Sequence, residues 1–161
     1  KVISSHPDLV LLIAGKTWEN DFSFYQSVIN KNKMQKHCII YNKYIPSSEV
    51  SNYFGASDLL VLPYTRISQS GVLMMAMSYA LPVLSSDLES FTEIIKDNET
   101  GFIFKNRDVN SLADKLISIF NNSSLLKKVS KNAMSLIKTD YNWNKIGGLA
   151  KSVYKFIDKK N

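Results

Sequence analysis

A single cysteine, Cys38, stands in this sequence, so no internal disulfide can form. It lies in the apolar run Cys38-Ile39-Ile40-Tyr41, which points to core packing in a reducing compartment. Long hydrophobic runs are scarce too. None approaches the roughly 20 apolar residues of a membrane-spanning helix, and no secretory leader is recognisable. The two histidines share no spacing with carboxylates or with Cys38 that suggests a metal site: His6 precedes a proline in a turn, and His37 opens a strand. There is no nucleophile elbow, no Walker loop and no Gly-x-Gly-x-x-Gly after a strand, and each absence removes a class of enzyme. Repeats and low-complexity linkers are missing as well.

What is present is an ordinary globular composition. The chain has 161 residues, 45% of them hydrophobic, enough for one domain with a real core. Twenty Lys and Arg against fourteen Asp and Glu give a net charge of +6. Such a balance suits a phosphorylated ligand, an anionic membrane surface or nucleic acid. Aromatic and basic residues are not interleaved as in a nucleic-acid module, so no nucleic acid partner is expected. A solvated basic face is the plainest reading of the lysines. The chain opens at Lys1-Val2-Ile3-Ser4-Ser5, without an initiator Met and in what reads as the tail of a helix, and is expected to be a piece of a longer protein.

The hydrophobic pattern predicts strands alternating with helices. Leu9 to Ala14 reads as a fully buried parallel strand opening at Gly15-Lys16-Thr17. Residues 18–33 show helical spacing in Phe22, Tyr25, Val28 and Ile29, and His37 to Tyr41 is a second strand. Ser47 or Ser48 is placed to cap a short helix through Phe54, and residues 56–64 form a third strand stopped by Pro63. Leu88 to Asp97 is a short helix, and a turn at residues 98–101 leads into the strand Phe102-Ile103-Phe104. Asp108 or Asn110 caps a helix with Leu112, Leu116, Ile117 and Phe120 on one face. Two more helices follow, over residues 123–138 and from Trp143 to Lys159. The last sets Ile146, Leu149, Val153, Phe156 and Ile157 against Lys145, Lys151, Lys155 and Lys159. The expected architecture is α/β, a Rossmann-like open parallel sheet with helices on both faces.

Residues 66–87 hold the densest information. Ser68-Gln69-Ser70-Gly71 is small and polar and runs straight into Val72-Leu73-Met74-Met75-Ala76-Met77, apolar on every side and therefore a buried helix. Ser68 and Ser70 are good N-cap residues, Gly71 lets a ligand approach the backbone, and the first N–H groups of a helix have no partner within it. That combination favours an anion. Pro82 ends the helix, and residues 82–87 read as a short buried strand leading to Asp87. The methionines are expected to fill the core.

This stretch resembles the donor-binding motif of family 4 glycosyltransferases of the GT-B fold, Glu, seven residues, Glu, then Ala-Met-x-x-Gly-Leu-Pro-Val. Ala76-Met77-Ser78-Tyr79-Ala80-Leu81-Pro82-Val83 matches the second half, whereas Ile67 and Met75 occupy the two glutamate positions. The Ser-Gly-x-Leu form is similar to a variant in which amides and hydroxyls at the helix start carry the donor contacts. Ala56-Ser57-Asp58 through Pro63-Tyr64, and Glu93-Ile94-Ile95 through Thr100-Gly101-Phe102, also follow the family pattern, with Thr92 replacing a proline.

The resemblance implies a single donor domain over residues 1–161, lacking the family's opening strand with its cationic loop and the amino-terminal acceptor domain. It implies a nucleotide-sugar donor, a saccharide or lipid-linked acceptor, retention of anomeric configuration, no cofactor and no obligatory metal. Ser68, Gln69, Ser70, Gly71, Val72 and Leu73 are the expected donor-phosphate contacts, with Arg66 and Lys16 as candidate cations. Tyr44 and Ile45 would lie on the nucleobase side, and Glu93 near the donor. Asp58 and Asp87, at strand ends, are balanced between a ligand role and capping. No catalytic side chain is assigned. The expected location is cytoplasmic, with the basic last helix free to touch the inner face of a membrane. Two alternatives stay open, another nucleotide-sugar enzyme such as an epimerase and a non-catalytic interaction module on the same fold. A polar concave cleft at the carboxyl ends of the strands favours an enzyme; a flat apolar patch favours the module.

Overall fold

The computed structural model describes residues 1–17 and 21–158. Along the chain lie α1 (Val2–Ser5), β1 (Leu11–Ala14), α2 (Ser23–Lys31), β2 (Cys38–Tyr41), α3 (Ser47–Gly55), β3 (Leu60–Leu62) and α4 (Gly71–Ser78). Then come β4 (Val83–Ser86), α5 (Glu89–Thr92), β5 (Phe102–Phe104), α6 (Val109–Phe120), α7 (Ser123–Asp140) and α8 (Trp143–Asp158). Every strand pairing is parallel. Leu11 stands opposite Cys38, Leu60 opposite Val83, and Leu84 opposite Phe102. Parallel neighbours need a crossover, and the intervening helices supply it.

Successive residues of a strand face opposite sides, and β4 uses both sides for burial. Val83 joins a cluster with Leu62, Leu73, Ala76, Met77, Leu81 and Phe91, while Leu84 joins Phe102, Phe104, Ile119 and Val129. All four β4 residues, Val83, Leu84, Ser85 and Ser86, are buried, which is why the stretch is uncharged and shows no alternation of polar and apolar residues. Helices α4 and α7 cover the first cluster, through Leu73 and Ala133; α6 and α7 cover the second, through Ile119 and Val129.

The strands form two ladders, β1 beside β2 and β3-β4-β5 in that order, rather than the one open sheet predicted. β1 is also not the fully buried strand expected from Leu9 to Ala14. It begins at Leu11, which is 51% exposed, because β1 has a paired neighbour on one edge only. The helix expected over residues 18–33 is shorter: α2 buries Ile29, whereas Tyr25 and Val28 are exposed, and Trp18 lies outside the described residues. Pro46, not Ser47 or Ser48, is the residue before α3, and it offers no side-chain cap. Asp108 does cap α6, its Oδ1 accepting from the N–H groups of Asn110 and Ser111. Cys38 is half-buried, and burial pushes its thiol pKa up. On α4, Leu73, Ala76 and Met77 are buried, but Val72 and Met75 are more than two-fifths exposed, so the helix is covered on one side rather than all round. The apolar stripe of α8 is open as well, with Trp143, Leu149, Val153 and Tyr154 exposed. Among the described residues no helix is long and apolar enough to cross a membrane.

Two backbone positions test this packing. Ala80 ends α4 with φ 57°, in the left-handed region, where its N–H meets Met77 O at 3.1 Å and the Leu81 N–H meets Ala76 O at 3.0 Å. A side chain in that region costs about 1–2 kcal/mol, partly offset by the extra freedom of an unfolded glycine. Ala80→Gly is expected to raise stability by about 0.5–1 kcal/mol in urea unfolding. A Cβ added at Gly101 would lie 2.7 Å from Ile95 Cγ2 and 3.2 Å from the Val83 carbonyl oxygen. Ile95 is itself buried, so Gly101→Ala is expected to lower stability by about 1–3 kcal/mol in the same measurement.

Candidate functional site

In a parallel α/β sheet, the loops that leave the carboxyl ends of the strands surround the ligand. Here the loop after β3 and the turn after β4 enclose a cleft of about 380 Å³. Arg66, Ile67 and Ser68 line it from the β3 side, and Leu88, Glu89, Ser90 and Glu93 from the β4 side. The lining is mostly polar: a cation, two carboxylates and two hydroxyls, with Ile67 and Leu88 as the apolar part.

The β3–α4 loop is held by its carbonyl groups. Ser86 Oγ donates to Tyr64 O at 2.7 Å, Asn106 Nδ2 to Thr65 O at 3.2 Å, and Ser90 Oγ to Ile67 O at 3.2 Å. The three donors come from the end of β4, the stretch after β5, and α5. Asp87 completes the lattice, its Oδ1 accepting the Asn106 N–H at 2.7 Å and its own N–H reaching Phe104 O at 2.9 Å. Asp87 thus braces the loop through Oδ1.

At the far end of the loop, Ser70 is the N-cap of α4, with backbone in the extended region and Oγ accepting the Leu73 N–H at 3.2 Å. Of the two serines suited to capping, Ser70 does so and Ser68 turns to the cleft. The cap consumes the Leu73 N–H. Those of Gly71 and Val72 have no hydrogen-bond acceptor among the described residues, and together with the helix dipole they leave a partial positive charge there. A Cβ built on Gly71 meets nothing within 4 Å, so the approach to these amides is open.

The predicted site residues thus separate into groups. Arg66, Ser68 and Glu93 meet in the cleft. Gln69, Ser70, Gly71, Val72 and Leu73 follow along the same loop and helix start, outside the lining. Lys16, exposed after β1, and Tyr44, 73% exposed after β2, lie on loops of the other ladder with Ile45 and do not line the cleft. Asp58 is exposed ahead of β3 and does not line it either. Leu88, Glu89 and Ser90 escaped the sequence reading. The signal that could have found them is position, directly after the buried strand that ends at Ser86. Among the described residues no three His, Cys, Asp or Glu side chains come together in a way that could hold a metal ion.

The N-cap has a direct test. Ser70→Ala removes the acceptor of the Leu73 N–H and is expected to cost about 1 kcal/mol of stability by urea unfolding, with the far-UV dichroism of the folded protein unchanged.

Comparison with known proteins gives the family. Putative glycosyltransferase YtcC of Bacillus subtilis (strain 168) is 25% identical over 167 residues, spanning 98% of this chain and 40% of that protein. UDP-Gal:alpha-D-GlcNAc-diphosphoundecaprenol alpha-1,3-galactosyltransferase of Escherichia coli is 25% identical over 138 residues, 84% of this chain and 34% of that protein. The chain therefore spans two-fifths or less of the length of these two relatives. Among solved structures, the C-terminal domain of the glycosyl transferase group 1 family protein LpcC from Francisella tularensis superposes with a TM-score of 0.79 at 22% identity, covering 88% of this chain and 74% of that domain. The family model for glycosyl transferases group 1 matches residues 1–135, and on that match, with the fold in agreement, the chain belongs to the group 1 glycosyl transferases of the GT-B fold.

Proposed function

We propose that this chain is the donor-binding half of a glycosyltransferase that moves a sugar from a nucleoside diphosphate to a saccharide or lipid-linked acceptor held elsewhere in the protein. The observation that carries the reading is the polar cleft at the carboxyl ends of β3 and β4, continuous along one loop with the capped start of α4. As the bond from the sugar to the diphosphate breaks, negative charge grows on phosphate oxygens. Fixed dipoles and cations aimed at that charge lower the barrier without reorganising. The Gly71 and Val72 N–H groups supply the dipoles and Arg66 the cation, while Ser68, Glu89 and Glu93 offer partners to sugar hydroxyls. The E. coli relative, whose name carries both a UDP-sugar and a diphosphoundecaprenol-linked acceptor, supports a uridine diphosphate donor and a lipid-linked acceptor. Such an acceptor would place the enzyme at the cytoplasmic face of a membrane. Transfer with retention and without a metal belongs to the same reading. A non-catalytic module on this fold predicts a flat apolar patch where the cleft is instead polar.

Completion by further chain is part of the proposal. Among the described residues β1 pairs with β2 alone and β3 with β4 alone, so each keeps an unpaired edge. An additional strand from the longer protein, with its cationic loop, would satisfy such edges, and the acceptor site would lie on a separate domain.

Calorimetric and thermal-shift titration with UDP, GDP and ADP tests the reading, repeated on Gly71→Asp. The substitution separates binding from stability. An aspartate in the first turn of a helix stabilises it, by about 0.3–1 kcal/mol, and a Cβ at this position has no atom within 4 Å. UDP is expected to bind the unaltered chain and to lose measurable binding to Gly71→Asp, while the melting temperature without nucleotide holds or rises. Equal UDP affinity in both proteins would remove the diphosphate from the start of α4.

A further inference from the structure

We infer that Asn106 is a positioning residue for the donor, acting through the β3–α4 loop; the inference rests on the donor-site reading above. Asn106 lies after β5, remote in sequence from the loop it holds, and does not itself line the cleft. Its side-chain amide joins the loop to a third strand end. Nδ2 donates to the Thr65 carbonyl at 3.2 Å, and the backbone N–H donates to Asp87 Oδ1 at 2.7 Å. With the Ser86 bond to Tyr64 O and the Ser90 bond to Ile67 O, three side chains from three segments fix three carbonyls within four residues. Arg66 sits between two of the anchored carbonyls, so its Cα has little freedom and its guanidinium is delivered to the cleft from a fixed base.

The Asn106 amide is satisfied on its donor side only. Oδ1 of Asn106 is buried and meets no hydrogen-bond donor among the described residues, a configuration that folded structures mostly avoid. Reversing the amide would set Oδ1 against the Thr65 carbonyl, so the orientation is forced by the bond to the loop. The contribution of Asn106 comes from the satisfied half of its amide. Here that is to tie the loop carrying Arg66 and Ser68 to the strand ends. Held in one geometry, the loop presents the start of α4 to a diphosphate without an ordering cost on binding.

The test combines amide hydrogen exchange with nucleotide titration on the unaltered chain, Asn106→Ala and Asn106→Asp. The aspartate keeps the size of the side chain but replaces the donor with a second acceptor facing Thr65 O and a charge beside Asp87. Both variants are expected to speed exchange across residues 65–70 at least tenfold, leave exchange in β4 and β5 unchanged, and weaken UDP binding at least fivefold. Ser90→Ala, which frees the Ile67 carbonyl, should do the same to a smaller degree. Unchanged loop exchange in Asn106→Asp overturns the inference, and so does faster loop exchange with unaltered UDP affinity. A uniform rise in exchange throughout the chain also overturns it, since it would mark a merely structural role. If the unaltered chain binds no UDP, the donor reading fails for this chain without its further strand and cationic loop, and this is seen before any variant is made; the exchange measurement still decides whether Asn106 holds the loop.

Discussion

Burial of β4 on both sides is the constraint from which the rest of the structure follows. A strand with hydrophobic clusters against each face can carry no charge and little bulk, and it must be flanked by parallel neighbours, since only crossovers leave helices over both of its faces. Ser85 and Ser86 are fully buried, small enough for that space at the end where the strand must become polar. Ser86 spends its hydroxyl on Tyr64 O and thereby begins the tether of the loop that borders the cleft. The hydrophobic core and the candidate site thus meet at Ser86, and again at Ile67 and Leu88, which pack against the first cluster and line the cleft.

The cleft itself is a product of short elements. β3 and β5 have three residues each and α5 has four, so the segments that leave them turn at once and stay near one another. Asp87 and Asn106, each one or two residues past a strand end, stitch those exits together. The polar network is as much a part of the scaffold as the apolar clusters, and it is aimed at one loop.

Much of this was legible in the sequence where a single local rule applies. Pro82 after an apolar helix, serine before glycine at the start of α4, and Asp108 ahead of α6 each have one dominant consequence, and each element appeared where expected. Strand burial was less legible. The run ending at Ala14 is as apolar as any central strand, yet burial depends on neighbours that the run does not encode, and β1 is paired on one edge only. The tether was not legible at all. Asn106, Ser90 and Thr65 are ordinary loop and helix residues, and their meeting depends on three parallel strands ending at one level. Glu89 entered the cleft by the same route, through the register of β3, β4 and β5 rather than through a motif.

The unpaired edges of β1 and β3 carry a practical consequence. Each presents a row of backbone groups with no ladder partner, and β1 adds an exposed Leu11 beside them. Exposed strand edges are templates for pairing with another molecule. Handled alone, this chain offers those edges for pairing with a second copy, a contact that a flanking strand of further chain would cover.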